Sequence, residues 1–179
     1  MRAVRDEGFE VGIHAFDHVL WQDHVATSDR MWTLAQMLAG YERFAEIFGA
    51  APGVHGAAGW QMNDAAFVAE DLLRFDHASD TRGCLPFFPK IGATTINCLQ
   101  LPTTLPTLDE MIGRPDLGDE LPVDHLLKLT AQDESRNHVY TAHAELEGGR
   151  LALWFERLLS GWRRPIWRSE ERRVGKECR

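Results

Sequence analysis

Two histidines and an aspartate stand together near the start of the chain: His14, Asp17 and His18. They follow a short apolar run, Phe9, Val11 and Ile13 around Gly12, which reads as a buried strand over residues 9–14. If the chain coils after that strand, side chains four apart share a face and the two imidazoles converge on one ion. Zinc accepts nitrogen and oxygen donors of this kind, and a catalytic zinc site keeps one position open for water. The same spacing also occurs in ordinary polar surface, so the pair needs support from the rest of the chain.

That support comes from the elements that must carry the other polar clusters. Residues 2–7 look like a helix closed by Gly8. Ser28 or Asp29 caps a longer helix whose apolar positions Met31, Leu34, Leu38, Tyr41, Ala45 and Phe48 keep the helical period until Gly49 stops it. Residues 54–60, VHGAAGW, are extended and small; Asn63 or Asp64 then caps a helix through Leu73, and 75–79 reads as a strand running into Asp80 and Arg82. Residues 84–95 hold Pro86 and Pro89 without a period and read as a loop, followed by extended residues 97–101.

Thr107 and Glu110 have the spacing of a capping box for a short helix. Beyond them come a helix over 123–131, a strand over 139–141 that delivers His143, a helix over 151–159 with Gly161 as its stop, and a last strand over 165–167. Strands alternating with helices predict an α/β fold with a mostly parallel sheet or barrel. Active sites in such folds gather at the C-terminal strand ends, where His14 and His18, Trp60, Asp80 and Arg82, and His143 all fall.

Composition narrows the function classes. A formal charge of −8 over 179 residues, with Lys and Arg clustered only near the C-terminus, argues against nucleic acid as a partner. No apolar run approaches the ~18 residues needed to span a bilayer, and the first residues lack the apolar core of a signal peptide. Cys84, Cys98 and Cys178 are too scattered for a disulfide framework or a cysteine-based zinc site, which fits reduced thiols in a cytoplasmic protein.

Five blocks, GIHAFDHVLWQ, HGAAGW, ASDTRGCLPFFP, LPTTLPTLDEMIGR and VYTAHAELEG, in this order and spacing, closely resemble the polysaccharide deacetylase (NodB-homology) family. Within it they are most similar to the 4-deoxy-4-formamido-L-arabinose-phosphoundecaprenol deformylases. The resemblance implies a distorted (β/α) barrel over residues 1–168, with parallel strands and outer helices. It implies that His14 and His18 are ligands of a catalytic divalent metal, typically zinc, and that His143 is the general acid that protonates the leaving amine. Asp80 would orient and support that acid, while Trp60 and Arg82 would contact the sugar. The implied substrate is a lipid-linked amino sugar bearing a formyl or acetyl amide, in lipid A modification and polymyxin resistance. That substrate would bring the protein to the inner membrane surface, as a peripheral or otherwise cytoplasmic enzyme.

The chain also departs from the family pattern. The strand carrying the catalytic-base Asp and the third metal ligand is expected well ahead of the histidine pair, but Met1 lies thirteen residues before His14. The sequence therefore reads as an incomplete barrel lacking its first strands. Residues 169–179, SEERRVGKECR, are highly charged and outside the resemblance, and read as a disordered tail or a sequence artefact. Two other classes stay open: a truncated, non-catalytic sugar- or metal-binding fragment, and a different metal-dependent amide hydrolase.

Overall fold

The computed structural model of the chain describes residues 2–132 and 137–163, so the strand expected at 165–167 and the tail at 169–179 lie outside the described residues. Contacts divide the chain into two compact units, Met1–Thr104 and Leu105–Arg179.

In the first unit two helices begin at caps expected from the sequence, Asp29 and Asn63, and a third begins at Asp17, grouped in the sequence with the two histidines. Helix α1 (Arg2–Asp6) closes ahead of Gly8, whose φ is +88°. Asp17 accepts the Leu20 N–H at 2.9 Å and starts α2 (His18–His24). Asp29 accepts the Trp32 N–H at 2.8 Å and starts α3 (Arg30–Phe48), which ends at Gly49 in the left-handed region. The face that α3 buries differs from the apolar row expected for it. Thr33, Met37, Gly40 and Phe44 are buried, Leu34, Tyr41 and Phe48 pack beside the core, and Met31 is 75% exposed. Gly40 explains the rotation: a Cβ there would lie 3.1 Å from Ile13 Cγ2, so a residue without a side chain marks the close approach. An apolar count cannot register such a position.

A three-stranded parallel sheet, order β1-β2-β5, forms the centre of this unit from β1 (Val54–His55), β2 (His77–Ala78) and β5 (Leu99–Gln100). Helix α4 (Asp64–Leu73) makes the crossover from β1 to β2. The strand expected at 9–14 shrinks to a single parallel bridge between Ile13 and His55, and Phe9 is 67% exposed. The expected loop at 84–95 contains an antiparallel pair, β3 (Lys90–Ile91) and β4 (Thr94–Thr95), with Gly92 at φ +60° in the turn. Trp21, Val25, Phe75, Ile96 and Cys98 are among the core residues.

In the second unit the Thr107–Glu110 capping box starts α5 (Leu108–Met111) as predicted. Helices α6 (Pro122–Gln132) and α7 (Ala152–Trp162) follow, around a core that includes Leu105, Met111, Leu126 and Leu158. Residues 139–141 are not assigned as a strand; the Leu105 N–H donates to the Val139 carbonyl there, at 3.3 Å. Nor does Gly161 stop α7. A Cβ there would lie 2.4 Å from Leu127 Cδ2 on α6, so the glycine allows two helices to approach closely.

Asn63 ties three segments of the first unit together. Its Oδ1 caps α4 at the Ala66 N–H, 2.8 Å, while its Nδ2 donates to the Val25 carbonyl at 2.7 Å, Thr33 Oγ1 at 2.9 Å and the Ser28 carbonyl at 3.3 Å. Replacing it by alanine removes the cap and strands these acceptors, at an expected cost of about 2–3 kcal/mol. Asn63→Asp keeps an equally good cap but turns a carboxylate towards two carbonyls, so urea unfolding should show it destabilised as well. An Asp variant as stable as wild type would mean that the Nδ2 contacts contribute nothing.

Candidate functional site

The two histidines are brought together, though by a different route from one helical face. His14 stands before α2 and His18 is its first residue; between them Ala15 takes φ +65° and Asp17 is spent on the cap. The turn places the imidazole centroids 5.1 Å apart at a 60° tilt, and both residues are exposed. His14 Nδ1 lies 2.7 Å from the Gly56 carbonyl oxygen. A carbonyl only accepts, so Nδ1 carries a hydrogen; in the neutral ring this leaves the lone pair on Nε2, the tautomer suited to metal ligation through Nε2. Two adjacent imidazoles, one anchored on backbone, fit a divalent cation of the zinc type.

Behind this pair lies a buried cluster. Residues directly opposite on neighbouring strands share a face, and the sheet register aligns His55, Ala78 and Gln100 in one row. Ala78, in the middle, contributes one methyl group. Glu70, projecting from α4, links the two outer residues: Oε1 lies 2.8 Å from His55 Nδ1, and Oε2 accepts from Gln100 Nε2 at 2.9 Å. Asp80, two residues past Ala78, places Oδ1 2.9 Å from the same His55 Nδ1 and accepts the Ala57 N–H at 2.7 Å. The side chains of His55, Glu70 and Asp80 are fully buried, and one ligand atom from each lies within 4.8 Å of the others.

Electrostatics decide how the three share protons. Burial alone would lower the His55 pKa, but the Asp80 charge and the hydrogen bonds of both carboxylates overrule it and hold the imidazole up at about 10. Burial drives Glu70 up to about 8, against the opposing hydrogen bond of His55. For Asp80 burial works upwards but loses to the charge and hydrogen bond of His55, so it stays below the usual carboxylate range. These effects favour the charged forms of His55 and Asp80 and the neutral form of Glu70. The Phe75 and Trp21 rings, centroids 5.7 and 6.1 Å from that of His55, flank the imidazole. The nearby Cys98 thiol is buried and pushed up by that burial and by Glu70.

Trp60 and Arg82, predicted separately, also meet. The Arg82 guanidinium carbon sits 4.5 Å from the Trp60 ring centroid, and Trp60 Nε1 donates to Thr103 Oγ1 at 3.1 Å. Gly59 and Trp60 both have positive φ, 61° and 55°. A Cβ at Gly59 would lie 2.8 Å from Gln22, so glycine is required there on two counts. A tryptophan in the left-handed region is strained, and such strain concentrates at working loops.

His143 belongs to the second unit. Its backbone N–H donates to Glu147 Oε2 at 2.9 Å, and the other Glu147 oxygen accepts from the Tyr140 hydroxyl at 2.8 Å. Burial and Glu147 push the Tyr140 phenol well up. His143 Nδ1 lies 3.3 Å from Asp109 Oδ1, close enough for charge attraction but not aligned as a hydrogen bond. Asp109 went unnoticed in the sequence because it lies inside the Thr107–Glu110 capping box, where an acidic residue already has a helix-terminal explanation. His55 and Glu70 also escaped notice. Glu70 occupies the same buried stripe of α4 as Ala66 and Ala69, and a charged residue in an apolar stripe was the available signal.

No family model matches the chain. It is 32% identical over 154 residues to a probable 4-deoxy-4-formamido-L-arabinose-phosphoundecaprenol deformylase of Shewanella sediminis, covering 86% of this chain and 48% of that protein. A protein of the same designation from Wigglesworthia glossinidia brevipalpis is 30% identical, with 84% of this chain and 52% of that protein covered. The chain thus spans about half the length of the curated relatives it matches. A solved structure designated a polysaccharide deacetylase, from Mycobacterium smegmatis, superposes with a TM-score of 0.66 at 20% identity, over 89% of this chain and 58% of that one. The likeness shows a shared fold. No helix among the described residues is long and apolar enough to cross a membrane.

The buried cluster gives stability a pH dependence of known sign. Glu70 and His55 have raised folded-state pKa values, so their contributions are full below about 4.5 and 6.5 respectively and fade as pH climbs towards 8 and 10. Asp80 acts oppositely, its contribution fading only as pH falls below the carboxylate range. Glu70→Gln cannot ionise, so its urea midpoint should fall less than that of wild type between pH 5 and 9. Parallel midpoint curves for the two proteins would show that Glu70 does not carry this titration.

Proposed function

We propose, for a chain homologous over most of its length to formamido-arabinose deformylases and sharing the fold of polysaccharide deacetylases, that it acts in metal-dependent removal of a formyl or acetyl group from an N-acylated amino sugar. The observation that supports this best is the adjacent imidazole pair with His14 fixed as the Nδ1–H tautomer. His14 and His18 would hold the metal, with zinc the best match to the donor set. When bound, such an ion polarises the amide carbonyl and lowers the pKa of a bound water.

The remaining roles fall to the chain's own residues. His143 returns a proton to the departing amine, a step suited to an imidazole, and Asp109 attracts the imidazolium formed in the alternate step. Asp80 is a fixed anion in support of the site. Trp60, stacked under Arg82, offers an aromatic face for a sugar ring, and the guanidinium offers charge to an anionic substrate group. A sugar linked to undecaprenyl phosphate carries such a phosphate, and lipid A modification at the inner membrane surface is the matching setting.

His14→Ala or His18→Ala should abolish zinc retention, as judged by elemental analysis after dialysis. His143→Ala should keep the metal and slow release of formate or acetate from the acylated sugar by about 10²–10⁴-fold. An unchanged rate in the His143 variant would remove it as the acid. Metal retention with no release from any acylated amino sugar would instead favour a binding role.

A further inference from the structure

One peptide group is held at both ends by the elements described above. The carbonyl of the Gly56–Ala57 peptide accepts the Nδ1–H of His14 at 2.7 Å, and its N–H donates to Asp80 Oδ1, also at 2.7 Å. We propose that Asp80 acts through this single peptide to orient His14 and to strengthen Nε2 of its imidazole as a metal ligand, and that His55 and Glu70 are the positioning residues that hold Asp80 for this task. The proposal rests on reading His14 as a ligand.

The physical basis is amide resonance, which couples the two ends of the peptide. A carboxylate at the N–H draws that hydrogen towards itself, and the shared π-system places more negative charge on the carbonyl oxygen. A more basic carbonyl pulls harder on the Nδ1–H, which makes the opposite ring nitrogen a better donor to a metal. Metal-ligating histidines commonly donate their second N–H to either a carboxylate or a backbone carbonyl. In this chain the two stand in series. Asp80 is 0% exposed, so its influence on a ligand at the surface has to pass through bonds and peptides rather than by touching substrate.

The cluster behind Asp80 suits it to that task. Oδ1 accepts from Ala57 and faces His55 Nδ1, and the Asp80 backbone N–H donates to Gln100 Oε1 at 3.3 Å. Gln100 Nε2 donates to Glu70, whose other oxygen faces His55, so Oδ1 and the backbone of Asp80 are both held in place, while Oδ2 is buried without a hydrogen-bond partner. The Gly56 N–H in turn donates to the Ile13 carbonyl at 2.9 Å, which seats the residue before His14 on the same loop.

The test uses the full chain, stripped of metal and titrated with zinc against a competing chelator. Wild type should bind zinc in a His14- and His18-dependent manner, and Asp80→Asn should weaken that binding by about 10-fold, the lower end of the usual effect of losing an outer-shell partner. Long-range nitrogen–proton NMR of the metal-free protein gives the second measurement. It should show His14 as the Nδ1–H tautomer in wild type, with its Nδ1–H resonance displaced in Asp80→Asn while His18 stays unchanged.

Unaltered zinc affinity in a folded Asp80→Asn variant would overturn the relay and leave the ligand reading standing. An Nε2–H tautomer of His14 in wild type would overturn the relay whether or not the variant folds. Zinc retained in His14→Ala/His18→Ala but lost in Glu70→Gln would remove both, making the buried cluster the metal centre.

Discussion

The first unit depends on the burial of three ionisable groups side by side. Removing an ion pair from water costs several kcal/mol per charge, and the cost is recovered only when the partners meet in good geometry and their remaining atoms are bonded. Secondary structure brings the partners together, although His55 Nε2 and Asp80 Oδ2 are buried without hydrogen-bond partners. Strand β1 supplies His55, the segment just after β2 supplies Asp80, β5 supplies Gln100, and the crossover helix supplies Glu70. The exposed pairs Arg43–Glu46 and Arg114–Asp116, by contrast, lie in solvent, where screening and side-chain entropy leave little net gain. Removing one partner of a buried set costs about 3–5 kcal/mol, so the internal cluster constrains the fold far more than the surface charges do.

The same cluster connects structure to chemistry. Helix caps and strand register determine where the backbone of residues 55–60 runs, and that segment carries the Gly56 carbonyl under His14, the Ala57 N–H above Asp80 and the strained Trp60 beside Arg82. The exposed groups suited to ligand contact are therefore mounted on a loop whose backbone groups are bonded to a rigid interior. Preorganisation of this kind spares a site from reordering its ligands when an ion or substrate arrives.

Much of the helical structure was legible in the sequence because its signals are local. Asp17, Asp29, Asn63 and the Thr107–Glu110 pair cap helices as their residue types suggest. The strands were harder to read because they are two residues long, and pairing at that length is decided by neighbours across the sheet rather than by period. Gly161, read as a helix stop, and Gly40, which the apolar pattern passes over, both record close approaches between elements, which no local pattern reports. At the site, His14 and His18 were visible by spacing, and Trp60 and Arg82 by their places at strand ends, whereas His55 and Glu70 acquire meaning only from a register that brings residues 15 apart into contact.

Ala78 carries a consequence for how such a chain can change over evolutionary time. Its methyl group lies in the row between His55 and Gln100, where the Glu70 carboxyl links the two. A larger residue at 78 competes with that carboxyl for space, and a shorter residue at 70 leaves a void that a larger residue at 78 could fill. The two positions are therefore bound in sequence space: single steps at either one pass through a strained or hollow intermediate, and viable descendants exchange both together. Drift in this part of the sheet should be paired and slow, while the exposed faces around it diverge one residue at a time.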